Sequence, residues 1–199
     1  MYLTEMQISL HSEKNISLEF ILFKQFLLST TDGYIFTGAT QSTDGDITGN
    51  KGGQDVWVVK VNFNGNIEWL KCYGGTYNEV AYAIHAAIKN GYFISGITTS
   101  LDGDVTDHHN SENNEADEWV IRIDTSGNLL WENALGGANY DIAYDAEATS
   151  DGGCIVSGVS SSLSGDIRFN KGGEDALLIK LDSAGMYNGV KTWEDLKMM

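Results

Sequence analysis

The stretch that decides the fold is DGYIFTGATQSTDGDITGNKGGQDVWVVKVNFNGNIEWLKCYGG, residues 32–75, because its pattern returns twice along the chain. The pentapeptide YIFTG, Tyr34–Gly38, recurs as YFISG at Tyr92–Gly96 and as CIVSG at Cys154–Gly158. Its last glycine therefore repeats after 58 and then 62 residues. Self-similarity at a period of this size is the signature of a repeat architecture.

Each copy continues with a polar loop and then an alternating stretch. These stretches read VWVVKV at 56–61, EWVIRI at 118–123 and ALLIKL at 176–181. Alternation with period two predicts a strand whose apolar residues share one face. The opposite face carries Lys60, Arg122 and Lys180, and we expect that face to be partly wet.

Glycine-containing turns, third strands with a tryptophan, paired glycines and fourth strands complete the pattern. The fourth strands begin at Glu79 and Asp141. Four short antiparallel strands in about sixty residues have the size of one β-propeller blade. The prediction is an all-β chain with about three such blades, at 30–91, 92–153 and, in part, 154–185.

Both ends of the chain depart from the repeat. Residues 1–29 match no part of it, and residues 186–199 lack the expected motif, which a frame shift near Gly185 would restore. Propellers typically close with four to eight blades. We therefore expect either a part of a larger propeller, with further blades in the parent chain, or a protomer that closes by self-association.

The repeat, above all the string at 32–75, resembles those of bacterial secreted and cell-surface β-propeller proteins, many exported by the type IX secretion route. The resemblance covers roughly 30–185 and implies an extracellular or cell-surface location. The segment DTSGNLLW, Asp124–Trp131, is also similar to the tryptophan-docking turns of quinoprotein-like propellers, whose tryptophan packs between blades.

Composition excludes several partners and site types. The chain of 199 residues has a net charge of −16, 23 glycines and no proline. Nucleic acid binding needs a basic face, so it is not expected.

The longest apolar stretch, 16–28, is interrupted by Glu19 and Lys24, so neither a membrane span nor a signal peptide is predicted. Cys72 and Cys154 are interpreted as separate buried thiols.

The DGD triplets are the candidate metal ligands. Paired carboxylates around a glycine can offer oxygen atoms to Ca²⁺, and the same residues also make tight turns whose side chains cap backbone amides. Both alternatives remain open. The candidate calcium ligands are Asp44, Asp46, Asp102, Asp104 and Asp166.

Other polar residues have two interpretations as well. The aspartates that precede the second strand, Asp55, Asp117 and Asp175, could complete an oxygen cage or accept hydrogen bonds from loop amides. His108 and His109 could hold a transition metal or be solvated. The repeated tryptophans could stack on sugars, but their apolar positions favour packing.

No catalytic motif of known spacing is present, and only two arginines exist, Arg122 and Arg168. The sequence favours a non-catalytic scaffold that binds a protein or polysaccharide through loops and a central channel. The alternative is a glycan-processing or quinoprotein-like propeller enzyme whose catalytic residues lie partly outside this chain.

Overall fold

The computed structural model describes residues 26–45, 47–109, 115–167 and 170–192. These residues form strands joined by turns and loops, without a helix, so none of them provides an apolar helix that could cross a membrane. The strands are β1 Phe26–Ser29, β2 Gly33–Thr40, β3 Asp55–Asn62, β4 Ile67–Tyr73, β5 Glu79–Ala86, β6 Tyr92–Thr98, β7 Asp117–Ile123, β8 Leu129–Leu135, β9 Asp141–Ala148, β10 Cys154–Ser160, β11 Asp175–Leu181 and β12 Tyr187–Thr192.

The strands pair into three four-stranded antiparallel sheets, each in simple chain order. The first sheet is β1 to β4, the second β5 to β8 and the third β9 to β12. The all-β prediction with four-stranded antiparallel units is thus confirmed at this level. Short turns at Gly65, Gly127 and Gly185 connect the third and fourth strands, and all three glycines have positive φ angles.

The sheets begin one strand earlier than the sequence copies. The strand at Glu79, which the repeat places last in the first copy, pairs with β6 and opens the second sheet. The paired glycines before it carry the chain from one sheet to the next. The unmatched ends contribute strands as well: β1 at Phe26–Ser29 pairs with β2, and β12 at Tyr187–Thr192 pairs with β11.

Consecutive sheets pack face to face through two hydrophobic clusters. The first cluster joins Ile35 and Val58 of the first sheet to Trp119 and Ile121 of the second. The second cluster joins the other face of the second sheet, including Val120, to the third. Burial of apolar surface between the sheets stabilises the arrangement by about 25 cal/mol per Å².

Burial on both faces overturns the expectation of a wet strand face in the first two sheets, whereas Lys180 of the third sheet is partly exposed, at 30% of its side chain. Lys60 is 3% exposed and Arg122 is 5% exposed. The Lys60 ammonium reaches Asp32 at 2.7 Å and Glu68 at 2.9 Å, while the Arg122 guanidinium donates to main-chain carbonyls and lies 4.8 Å from the centre of the Phe93 ring. Long side chains thus bury their stems between sheets and satisfy their charged ends locally.

Among the described residues, the third sheet exposes the face that the other two bury. Ile155 is 38% exposed, whereas the residues at the same repeat position, Ile35 and Phe93, are fully buried. Each of these two lies in a cluster that joins its own sheet to the following one. The open face of the third sheet is therefore equivalent to the packing surfaces of the first two.

Candidate functional site

The recurring tryptophans and turn glycines of the repeat meet at the junctions between sheets. Trp69 on β4 packs over the turn of the second sheet, where its indole N–H donates to the Thr125 carbonyl at 3.1 Å. A methyl group added at Gly127 would lie 2.9 Å from its ring. Trp131 repeats this contact with the Ser183 carbonyl at 3.2 Å. The packing interpretation of these tryptophans is confirmed.

The DGD loop of the second sheet clamps the glycine pair of the first. Gly74 donates to the Asp104 carboxylate at 3.0 Å and accepts from the Asp104 N–H at 2.9 Å. Asp102 accepts from the Thr76 N–H at 2.7 Å and also from the Thr76 hydroxyl. Lys51 forms an ion pair with Asp104. Both carboxylates are therefore engaged by groups of the first sheet.

The third sheet repeats the clamp with one substitution. Asp166 accepts from the Gly136 N–H at 3.5 Å and donates its own N–H to the Gly136 carbonyl at 2.9 Å. Ser164, which stands where the second sheet has Asp102, accepts from the Ala138 N–H at 2.9 Å. A hydroxyl can take this place because the position requires an acceptor for one backbone amide.

Asp44 occupies the corresponding position in the first sheet, where its carboxylate accepts from the Ser42 hydroxyl at 3.0 Å within its own loop. Asp46 lies outside the described residues. The five candidate calcium ligands are thus divided among separate loops. No group of three or more His, Cys, Asp or Glu side chains that could hold a metal ion occurs in the described part of the chain. Calcium binding stays a hypothesis, and the geometry favours the turn interpretation.

The aspartates at the start of β3, β7 and β11 accept hydrogen bonds from loop amides, as one interpretation predicted. Asp55 accepts from the Lys51 N–H at 2.8 Å, Asp117 from the His109 N–H at 2.8 Å, and Asp175 from an equivalent amide at 2.6 Å. His109 does more than the sequence indicated. Its ring bridges Asp117 at 3.1 Å and Asp166 at 3.4 Å, which raises the pKa of His109 chiefly through Asp117.

Each junction also holds a pair of buried carboxyl groups beside a glycine. Asp55 and Glu79 lie against Gly74, and Asp117 and Asp141 lie against Gly136. Burial, together with the neighbouring Glu79, raises the pKa of Asp55 to about 6 despite the amide donated by Lys51. Burial likewise raises the pKa of Asp141. All four of these acidic side chains are fully buried at the junctions.

Glu118 is the most unusual of the buried acids. It replaces the apolar residue that the first sheet carries at Val56, and it is fully buried between the second and third sheets. Within the described residues, neither carboxyl oxygen has a hydrogen-bond partner. Burial first, and then Asp141 and Asp117, raise its pKa well above the ordinary value, which favours the neutral acid.

Two tyrosines project from equivalent β-bulges at the first strands of neighbouring sheets. In β5 the pairing with β6 skips Tyr82, and in β9 the pairing with β10 skips Tyr144. The glycines opposite, Gly96 and Gly158, leave no room for a side chain, since an added methyl group would lie 1.9 Å and 2.1 Å from main-chain oxygens. Bulges re-aim side chains and are enriched next to functional sites.

The re-aimed tyrosines meet across the boundary between β5 and β9. Their ring centres are 6.0 Å apart and the rings are tilted by 44°. Tyr144 is 46% exposed, Tyr140 beside it is 36% exposed and Tyr82 is partly buried. Burial, and then the neighbouring Tyr140 and Tyr144, raise the pKa of Tyr82.

Polar side chains continue this surface along the same two strands. His85 of β5 lies between two carboxylates of β9, with Nε2 2.8 Å from Asp145 and Nδ1 3.0 Å from Glu147. We call the surface formed by these residues the tyrosine face; it consists of Tyr82, His85, Tyr140, Tyr144, Asp145 and Glu147.

Sequence reasoning missed the tyrosine face, although a signal was present. The segments EVAYAI at 79–84 and DIAYDA at 141–146 carry Tyr82 and Tyr144 at the same repeat position. An aromatic residue kept at a strand position among small residues indicates either packing or binding. Its exposure depends on the bulge, which single-sequence alternation does not reveal.

No known protein-family model matches the chain, and no curated protein matches it.

Proposed function

We propose that the three sheets are consecutive blades of a β-propeller. The support is their chain order, their face-to-face packing and the contacts of β5 with β1 and of β9 with β5, which bring the first strands together. First strands that gather on one side are what a radial arrangement around a shared axis requires. Further blades, or a second copy of the chain, would cover the open face of the third sheet at Ile155.

We further propose that the protein is a non-catalytic binding scaffold of a secreted or cell-surface protein, with a protein or polysaccharide ligand. The observation that carries this proposal is the tyrosine face. Two equivalent bulges present aromatic rings to solvent beside carboxylates, on rigid strands supported by two packed sheets. Aromatic side chains with polar ends are enriched at binding surfaces because they bury much area and keep a hydrogen-bonding group.

The test is a binding screen of immobilised protein against panels of peptides and oligosaccharides. We expect the screen to find ligands that bind the wild type and do not bind the variant that combines Tyr82→Ala and Tyr144→Ala. The matched control is Tyr34→Ala, which removes a tyrosine of similar exposure, 38%, from the first sheet. Circular dichroism verifies that each variant folds. Ligands that bind the double variant and the wild type equally would contradict the proposed site.

A further inference from the structure

From the tyrosine face we infer that the ligand is cationic: a lysine- or arginine-bearing peptide segment of a partner protein. This inference rests on the proposed binding function and names the chemistry of the ligand.

The charges around the rings have one sign. Asp145 and Glu147 both follow Tyr144 along β9, and both act on the same side of the strand because they contact one His85 ring. Near Tyr140, Glu115 and Glu174 lie close enough to contribute to its raised pKa, after burial and Tyr144. The His85 ring is the group that contacts both Asp145 and Glu147 in the described residues. The described residues around the three rings therefore include four acidic side chains, Asp145, Glu147, Glu115 and Glu174.

The lysines that form ion pairs in the described residues do so elsewhere. Lys60 contacts Asp32 and Glu68, and Lys180 contacts Asp151 at 2.7 Å. No described ion pair brings a lysine or arginine to Asp145 or Glu147. A cation from outside the chain would thus meet carboxylates that no ion pair of the described residues joins to a lysine or arginine. The net charge of −16 adds attraction at longer range.

Ring geometry fits the same ligand. An ammonium or guanidinium group is attracted to the face of a tyrosine ring within about 6 Å of its centre. Tyr144 is 46% exposed, so its ring is accessible to a cation from solvent, and the Tyr82 ring lies 6.0 Å away at a tilt of 44°. The alkyl stem of a lysine or arginine side chain can cover the apolar part of the rings while its charged end meets Asp145.

The experiment compares a lysine hexapeptide with a glycine-serine hexapeptide and a neutral glucose hexasaccharide, by isothermal titration calorimetry of the full chain. We expect binding of the lysine peptide alone, weakened roughly tenfold between 20 mM and 300 mM salt because screening shortens the reach of charges. Asp145→Asn combined with Glu147→Gln should reduce affinity about tenfold. Tyr82→Leu combined with Tyr144→Leu should reduce it roughly fivefold or more, since each ring is worth about 0.5–1 kcal/mol to a cation.

The controls separate the two levels of the proposal. Tyr34→Leu should leave the affinity of the lysine peptide unchanged. Salt-independent binding of the neutral hexasaccharide at Tyr82 and Tyr144 would overturn the cationic ligand and leave the binding function standing. Lysine-peptide binding that survives both double variants would overturn the site. Absence of binding by all three probes, together with no ligand in the broader screen, would count against the binding function itself.

Discussion

The indole N–H of Trp69 donates to the main-chain carbonyl of Thr125 at a distance of 3.1 Å, across the boundary between two sheets. The next boundary has the same bond between Trp131 and Ser183. Both rings cover the glycine of a hairpin turn, so the strand that ends one sheet is locked onto the strand connection of the following sheet. The repeat in the sequence is therefore a repeat of junctions as much as of strands.

A methyl group at Gly127 tests this lock. Gly127 and Gly173 both have a φ angle of 76°, but an added methyl group would lie 2.9 Å from the Trp69 ring at Gly127 and would meet nothing within 4 Å at Gly173. Both alanine variants incur about 1–2 kcal/mol of backbone strain. We expect Gly127→Ala to lower the free energy of unfolding by roughly a further 1–2 kcal/mol in urea denaturation. Equal losses of unfolding free energy in the two variants would show that the Trp69 ring does not pack tightly against Gly127.

The DGD clamp has a matched pair of aspartates in neighbouring sheets. The Asp102 carboxylate binds the Thr76 amide and hydroxyl across a junction, whereas that of Asp44 accepts from Ser42 in its own loop. We expect Asp102→Ala to cost about 1–3 kcal/mol of unfolding free energy, because it leaves the amide without its acceptor. Asp44→Ala should cost less than about 0.5 kcal/mol. Thermal melting measures both.

The effect of Ca²⁺ on the melting temperature distinguishes the DGD clamp from a calcium site formed by the same residues. If the carboxylates serve as amide acceptors, millimolar Ca²⁺ and a chelator should leave the melting temperature of the wild type unchanged. A rise with Ca²⁺ that disappears in Asp102→Ala would establish the metal site instead.

Acid stability follows from the buried carboxyl at Asp55. The folded protein keeps this proton up to about pH 6, whereas the unfolded chain releases it near its ordinary pKa of 3.8. The free energy of unfolding therefore falls as the pH rises from about 4 to 6, by at most about 3 kcal/mol for this group. We expect Asp55→Asn to be more stable than the wild type at pH 7 and equally stable at pH 4. A constant difference across denaturant titrations at pH 4, 5, 6 and 7 would contradict this origin.

How far the sequence predicted the fold depends on which physical signal a residue carries. Alternation and turn glycines such as Gly65 are local, so the strands and hairpins could be predicted. Assignment of the strand at Glu79 to the following sheet could not be predicted, because it depends on where the chain passes from one sheet to the next, after Gly74 and Gly75. Lys60 was expected to be exposed to solvent because a charged residue indicates an exposed strand face. The sequence does not reveal that both faces of this sheet are covered.

The candidate site shows the same division. The amide-accepting role of Asp55 could be anticipated because a strand start offers free backbone donors. The bridge of His109 between two sheets could not, since it joins residues of different repeats. The exposure of Tyr82 depends on a bulge opposite Gly96, which appears only when the two strands are paired.

Substitution of His85 is expected to strengthen binding of the lysine hexapeptide, not to weaken it. Its ring contacts Asp145 at 2.8 Å and Glu147 at 3.0 Å, so it competes with an external cation for these carboxylates. We expect His85→Gln to tighten binding of the lysine hexapeptide roughly two- to threefold at low salt, the scale of an exposed ion pair. Calorimetry at 20 mM and 300 mM salt measures the change. A weaker affinity at both salt concentrations would show that His85 supports the ligand rather than opposing it.

The most direct measurement is an amide nuclear magnetic resonance titration of the ¹⁵N-labelled protein with the lysine hexapeptide. The tyrosine face predicts chemical-shift changes concentrated on β5 and β9, at Tyr82, His85, Tyr144, Asp145 and their neighbours, with the Tyr34 region unaffected. Shifts spread over the acidic surface without this focus, or concentrated on the loops at Asp44 and Asp102, would contradict a ligand site on the first strands.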